Sequence, residues 1–152
     1  MLGADLEEEG NSLLGWQAVL SCRQFPDLVA GVFKIPHHGS PNGNYEPTWQ
    51  KIIDPNNPIS ILTAYSRGRT PRPAPEDLER IKKRSSELYY TSLPRMTANK
   101  YDRSVERTIH GITKWRRKLG RTPGHIQVRW EVDSPPVVQF AGAAGKLSLI
   151  HI

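Results

Sequence analysis

The sequence predicts an α/β layer structure, and three observations carry that prediction. Short apolar runs at 28–35 and 59–64 have the length and branched content of buried strands. Segments with helical periodicity stand between and after them, each opened by a proline or a polar cap. Clusters of Pro, Gly and Asn separate the two kinds of segment, so strands and helices alternate along the chain.

Taken in order, Asn11 and Ser12 stand where a helix reaching Cys22 would be capped, with Leu13, Trp16 and Leu20 on one face. Leu28 to Ile35 (LVAGVFKI) reads as a strand buried on both faces and stopped by Pro36. His37-His38-Gly39-Ser40 follows at its C-terminal end. Pro47 opens a second helix with Trp49, Ile52 and Ile53 turned inward. Ile59 to Ala64 is the next strand, and Ser66 to Pro75 is a loop with three arginines and three prolines. Pro75 starts a third helix with Leu78 and Ile81 inward, and Leu88 to Thr91 reads as a strand.

Residues 93–102 are irregular in pattern. From Arg103 to Arg121 a helical wheel gathers Arg103, Arg107, His110, Lys114, Arg117 and Arg121 on one face. Val105, Ile109, Ile112 and Leu119 lie opposite, with Trp115 at the margin. Ile126, Val128, Trp130 and Val132 then alternate with polar residues as a half-exposed strand, and Val137 to Phe140 is its hairpin partner. The expected organisation is an α/β unit over 1–92, a basic segment over 93–123 that is helical from 103, and a β-hairpin extension over 124–146.

The 152 residues suit one domain of ordinary size. At 37% hydrophobic and 24% charged, with one cysteine, the chain is no collagen, coiled coil or disulfide scaffold. No apolar run approaches the roughly 20 residues of a membrane helix. The acidic N-terminus has no basic-then-apolar signal pattern, which makes the cytoplasm the default expectation unless coding sequence upstream adds a signal or membrane domain. The net charge of +6 is unevenly spread: residues 1–66 carry three basic and seven acidic side chains, and 67–121 carry sixteen and six. Such a basic segment attracts polyanions, nucleic acid among them. The plainer reading is a solvated surface.

The chemistry candidates stand early. Gly3-Ala4-Asp5-Leu6-Glu7 places an acid after an apolar lead, and Pro36-His37-His38-Gly39-Ser40 ends a buried strand. Strand ends of α/β folds gather sites. A carboxylate and an imidazole meeting there suit a divalent metal, zinc first. Taken alone, Asp5 also fits a helix-capping acid, and the two histidines an ordinary turn. Ser40 lacks the spacing of a Ser-His catalytic pair and reads as a turn residue, Glu7 reads as surface, and His125 as no part of the site.

Those residues carry a resemblance. Leu2 to Thr91 resembles the C-terminal half of a metallo-β-lactamase-fold hydrolase, and is most similar to the hydrolase domain attached to the DNA-uptake channel of competence (ComEC-type). The shared order is G-x-D-x-E, a helix, a strand ending in PHHGS, a second helix, a strand like NPISILTA, and a P-E-x-L-x-R-I helix. The resemblance implies an αββα sandwich with two metals between its sheets. By motif, Asp5 matches the aspartate that bridges the metals and His38 the late histidine ligand. His37 is then the neighbour that assists catalysis, and the reverse assignment of the two histidines stands as an alternative. The metals would lower the pKa of a bound water, and the reaction would be hydrolysis of a phosphodiester or another anionic substrate. A loop that in such proteins holds a histidine before a proline reads RGRTPRPAP here, so Arg67, Arg69 and Arg72 are expected to hold the anion.

The family's first-half motif, H-x-H-x-D-H, does not occur in these residues. The expectation is therefore a fragment that lacks the N-terminal half of its own domain, is inactive alone, and exposes one sheet face. The closing hexapeptide Leu147 to Ile152 is also the translation of a transposon-end adapter used in sequencing libraries, so 147–152 is expected to be a non-native tail. The rival expectation is a nucleic-acid-binding module without catalysis, using Arg103, Arg107, Lys114, Arg117 and Arg121.

Overall fold

The computed structural model describes residues 1–24, 29–56, 58–65, 70–85, 87–92, 102–112, 124–131 and 134–147. Leu28, Arg67, Arg69, Lys114, Trp115, Arg117, Leu119, Arg121, Val132 and residues 148–152 lie outside them. The coarse expectation holds: the chain is mixed α/β, and among the described residues there are one four-stranded sheet, one two-stranded sheet and a few short helices.

Strands β1 (Val32–Lys34), β2 (Ile59–Leu62) and β3 (Glu87–Tyr90) run parallel, with Phe33, Ser60 and Leu88 in register. Parallel neighbours need a crossover, and helices α2 (Glu46–Lys51) and α3 (Pro75–Lys82) supply the two here. A short strand after the hairpin, Gly145–Lys146, pairs antiparallel with β3 and gives the order β1-β2-β3-edge. The sequence pattern did not announce it, because two residues are too few to show a period. Leu147, assigned above to a non-native tail, continues that edge: its N–H donates to Leu88 O at 2.8 Å and its side chain is buried.

Side-chain alternation sorts the sheet into two faces. Phe33, Ile35, Leu62, Leu88 and Leu147 meet Trp16, Trp49, Ile52, Ile53, Leu78 and Ile81 in one core. Trp16 of α1 (Gly15–Ser21) is fully buried and donates its indole N–H to Gly43 O at 3.2 Å. Leu78 and Ile81 are buried as expected, on a helix begun by Pro75 whose Asp77 carboxylate accepts the Ala74 N–H at 2.9 Å.

Three expectations need correction. The first helix starts at Gly15 rather than at Asn11–Ser12, because Asn11 Oδ1 accepts the Leu13 N–H and closes a turn instead. Leu13 is consequently 82% exposed, not on the core face with Trp16. The strand read as buried on both faces is not: Phe33 and Ile35 are buried, while Val32 and Lys34 are half-buried on the other side.

That second face carries Val32, Lys34, Ile59, Ile61, Glu87 and Tyr89. Strands β4 (His125–Arg129) and β5 (Val137–Ala141) form the expected hairpin and lie over one end of it. Phe140 meets Tyr89 with ring centroids 6.4 Å apart, and a Cβ on Gly31 would lie 3.3 Å from Trp130. The basic segment begins as helix α4 (Arg103–Ile112), on which Val105 and Ile112 are exposed. Among the described residues, no helix is long and apolar enough to cross a membrane.

Candidate metal centre

The candidate site forms where the N-terminal segment runs beside β1. Leu2 bridges Lys34 in parallel, Lys34 N–H donates to Met1 O at 3.0 Å, and Gly3 N–H to Lys34 O at 3.3 Å. A Cβ at Gly3 would stand 2.8 Å from the Pro36 Cβ, so the close approach of the two motifs requires glycine. The chain then turns, with Ala4 at φ 45°, and its carbonyl accepts the His37 N–H at 3.0 Å. This brings Asp5 past the end of β1, beside the histidines.

His37 and His38 are both in the left-handed region, at φ 42° and 54°, and Gly39 follows at φ 79°. Among the described residues, Ala4, His37 and His38 are the non-glycine positions with positive φ. Each costs of order 1–3 kcal/mol, and such strain concentrates at functional sites. The surroundings hold the turn in place. A Cβ at Gly39 would meet Ile81 Cδ1 at 2.9 Å, and Arg80 donates to Gly39 O at 2.7 Å. Ser40 N–H donates to His37 O, and Ser40 Oγ to Asn42 Oδ1, which gives Ser40 the turn role expected of it.

The two imidazoles have different partners. His38 Nδ1 lies 2.9 Å from Thr63 O, which fixes the proton on Nδ1 and leaves the Nε2 lone pair free. Its ring stacks on Tyr65 at 5.1 Å. His37 Nδ1 lies 2.5 Å from Glu7 Oε1, a contact close enough for an ion pair but off the line of a hydrogen bond. Glu7, expected at the surface, is partly exposed and is not one of the residues lining the cleft, but its carboxylate stands against His37. Tyr65 had no signal in the sequence.

Asp5, His37, His38, Tyr65, Thr70 and Arg72 line one open cleft of about 440 Å³. Asp5 itself is exposed. Burial lowers the pKa of Lys34, and the nearby Asp5 charge offsets part of that shift. Arg72 reaches the cleft but also pairs with the fully buried Asp77 at 2.9 Å, and Arg80 holds the other carboxylate oxygen at 3.0 Å. One chain of contacts therefore joins the histidine turn to the arginine loop: Gly39 O, Arg80, Asp77, Arg72. Tyr65 and Arg72 exchange both backbone hydrogen bonds at 2.7 Å and close the base of that loop. Arg67 and Arg69, placed by the sequence in the same loop, lie outside the described residues.

A carboxylate and an imidazole with Nε2 free suit zinc as two corners of a four-cornered site. Among the described residues, no group of three or more His, Cys, Asp or Glu is placed to hold one metal ion. The donors fit the metal in kind and fall short in number. His125, on the hairpin, is exposed, and is not one of the residues lining the cleft.

Comparison with protein-family models, with curated proteins and with solved structures finds no match.

Proposed function

We propose that this chain is part of a metal-dependent hydrolase of the metallo-β-lactamase fold, carrying the C-terminal half of its αββα sandwich. The observation that carries the reading is the strained His37-His38 turn held against the Asp5 segment, with His38 Nδ1 tied to a carbonyl and Nε2 left free. Asp5 and His38 hold zinc, with the remaining ligands supplied by protein outside these residues. When bound, the metal supplies an acidified water and a clamp on the attacked group. His37, set against Glu7, assists beside the reacting group. Arg72, with Arg67 and Arg69, binds an anionic substrate, a phosphodiester first, and Asp77 and Arg80 hold Arg72 in place.

The test is made on the protein encoded by the whole gene, including any coding sequence upstream of Met1. Zinc content and hydrolysis of bis(p-nitrophenyl) phosphate are measured for the wild type, Asp5→Ala and His38→Ala. Both variants should lose zinc and activity together. Unchanged zinc and full activity in both would sink the assignment. An in-frame H-x-H-x-D-H upstream is the cheaper check of the same reading.

A second reading has one observation in its favour: Arg103 and Arg107 are exposed on α4. In that reading the basic segment grips nucleic-acid phosphates, and Lys114, Arg117 and Arg121, outside the described residues, are the further cations that the sequence offers. Binding would then fall steeply with salt.

A further inference from the structure

A second cleft, of about 410 Å³, lies between the sheet and the hairpin. It opens beside Gly31, Ile59 and Glu87, at the start of the parallel strands, whereas the histidine turn follows the end of β1. One wall is Trp130, Pro135, Pro136 and Val138; the other holds Tyr89 and Ile59, with the carboxylates of Asp54 and Glu87. Among the described residues lining it, none is basic, in a chain whose net charge is +6.

The carboxylates have different partners. Glu87 accepts from Tyr89 Oη at 2.7 Å and from Lys146 Nζ at 2.5 Å. Lys146 also lies 5.8 Å from the Tyr89 ring centroid, so the fold already sets one cation against this ring and this acid. Asp54 Oδ1 accepts the Asn56 N–H at 2.9 Å, and Asp54 has no ion-pair partner among the described residues. Trp130 is 55% exposed, and its indole borders the cleft above Gly31.

We propose that this cleft binds a small alkylammonium ion of the trimethylammonium class between Trp130 and Tyr89, with Asp54 as its counter-charge. The chemistry selects that class. Aromatic faces attract a cation within about 6 Å of the ring and tolerate its methyl groups, while a bare metal ion gives up more hydration than such walls return. The size is in the range of small-ligand clefts, roughly 300–1,000 Å³. Anions are repelled by Asp54, whereas the charge of Glu87 is already met by Lys146.

The probe is tetramethylammonium chloride, titrated into the full chain against sodium chloride at equal ionic strength. The readout is the indole N–H signal of Trp130, assigned by its loss in Trp130→Leu. A saturable shift is expected in the tetramethylammonium arm only. Calorimetry on the variants should show binding weakened about tenfold by Trp130→Leu, between the values for an exposed and a desolvated cation–π contact. Asp54→Asn, which keeps the side-chain shape, should weaken it severalfold. Lys146→Met, which removes the internal cation beside Glu87, should tighten it. Unchanged indole signals of Trp16 and Trp49 certify that the variants remain folded. Equal shifts in both salt arms, or undiminished binding in folded Trp130→Leu and Asp54→Asn, would overturn the proposal.

Discussion

The two faces of the four-stranded sheet are covered by different means. On the helix side, Trp16, Phe33, Leu62, Leu78, Ile81 and Leu88 are each at most 2% exposed and form one core. On the hairpin side, Trp130, Val137 and Phe140 remain at least half exposed, and a cleft of about 410 Å³ lies between the layers. The difference teaches where the chain can store strain. The left-handed histidines are held beside the packed core, since the Gly39 that ends their turn sits against Ile81 and Leu62. The hairpin side has no comparable packing and carries no comparable strain among the described residues.

The widest test of that contrast compares two tryptophans. Trp16→Ala should cost about 3–5 kcal/mol in chemical denaturation, and Trp130→Ala under about 1 kcal/mol, because only the first leaves a buried cavity. Equal costs would break the contrast between the faces. Next in size is Leu147→Ala. A leucine 7% exposed and packed on the helix-side core should lose about 2 kcal/mol when truncated. A midpoint unmoved by this change would mean the edge strand ends before Leu147.

The strain itself is measured by comparing His38→Gly with His38→Ala. Both lose the stacking on Tyr65 and the bond to Thr63 O, so their difference isolates the backbone at φ 54°. The glycine variant should be more stable than the alanine variant by about 1 kcal/mol. No difference would remove the strain argument for the site.

The smallest effect belongs to the sheet edge. Hydrogen bonds from Lys146 and then Tyr89 hold the Glu87 carboxyl below its ordinary value of 4.5. The folded state therefore binds that proton more weakly than the unfolded chain. Its share of stability is present above pH 4.5 and is lost as the pH falls through the lowered value. Amide exchange at Lys146 and Leu147 should quicken in that window, and Lys146→Met should blunt the change. The opposite sign applies to Tyr89, whose phenol is raised to about 12 by burial and by Glu87, so its contribution fades between pH 10 and 12.

Much of the helix-side layer was legible. Pro47 and Pro75 mark the starts of α2 and α3 to within a residue, and Trp49, Ile52, Ile53, Leu78 and Ile81 are inward as their spacing requires. The first helix was misplaced because Asn11 serves a turn and a helical cap equally well, and local pattern does not choose between them. Asp5, His37 and His38 were legible as a set, since their motifs flank a strand end. The Glu7–His37 contact, the stacking on Tyr65 and the Arg80–Gly39 bond were not, because each joins residues distant in sequence: 30 residues from Glu7 to His37, and 41 from Arg80 to Gly39.

The sequence by itself determined the alternation of strands and helices through the helix-side layer, most of the residues of its core, and the polar groups offered at the end of the first strand. Those follow from periodicity and from proline and glycine chemistry, which act within a few residues. Only the tertiary structure decided which imidazole nitrogen stays free, that Asp77 holds Arg72, and that residues 145–147 close the sheet edge. These are contacts across the fold. Their geometry exists only once the core has brought distant segments within hydrogen-bond range.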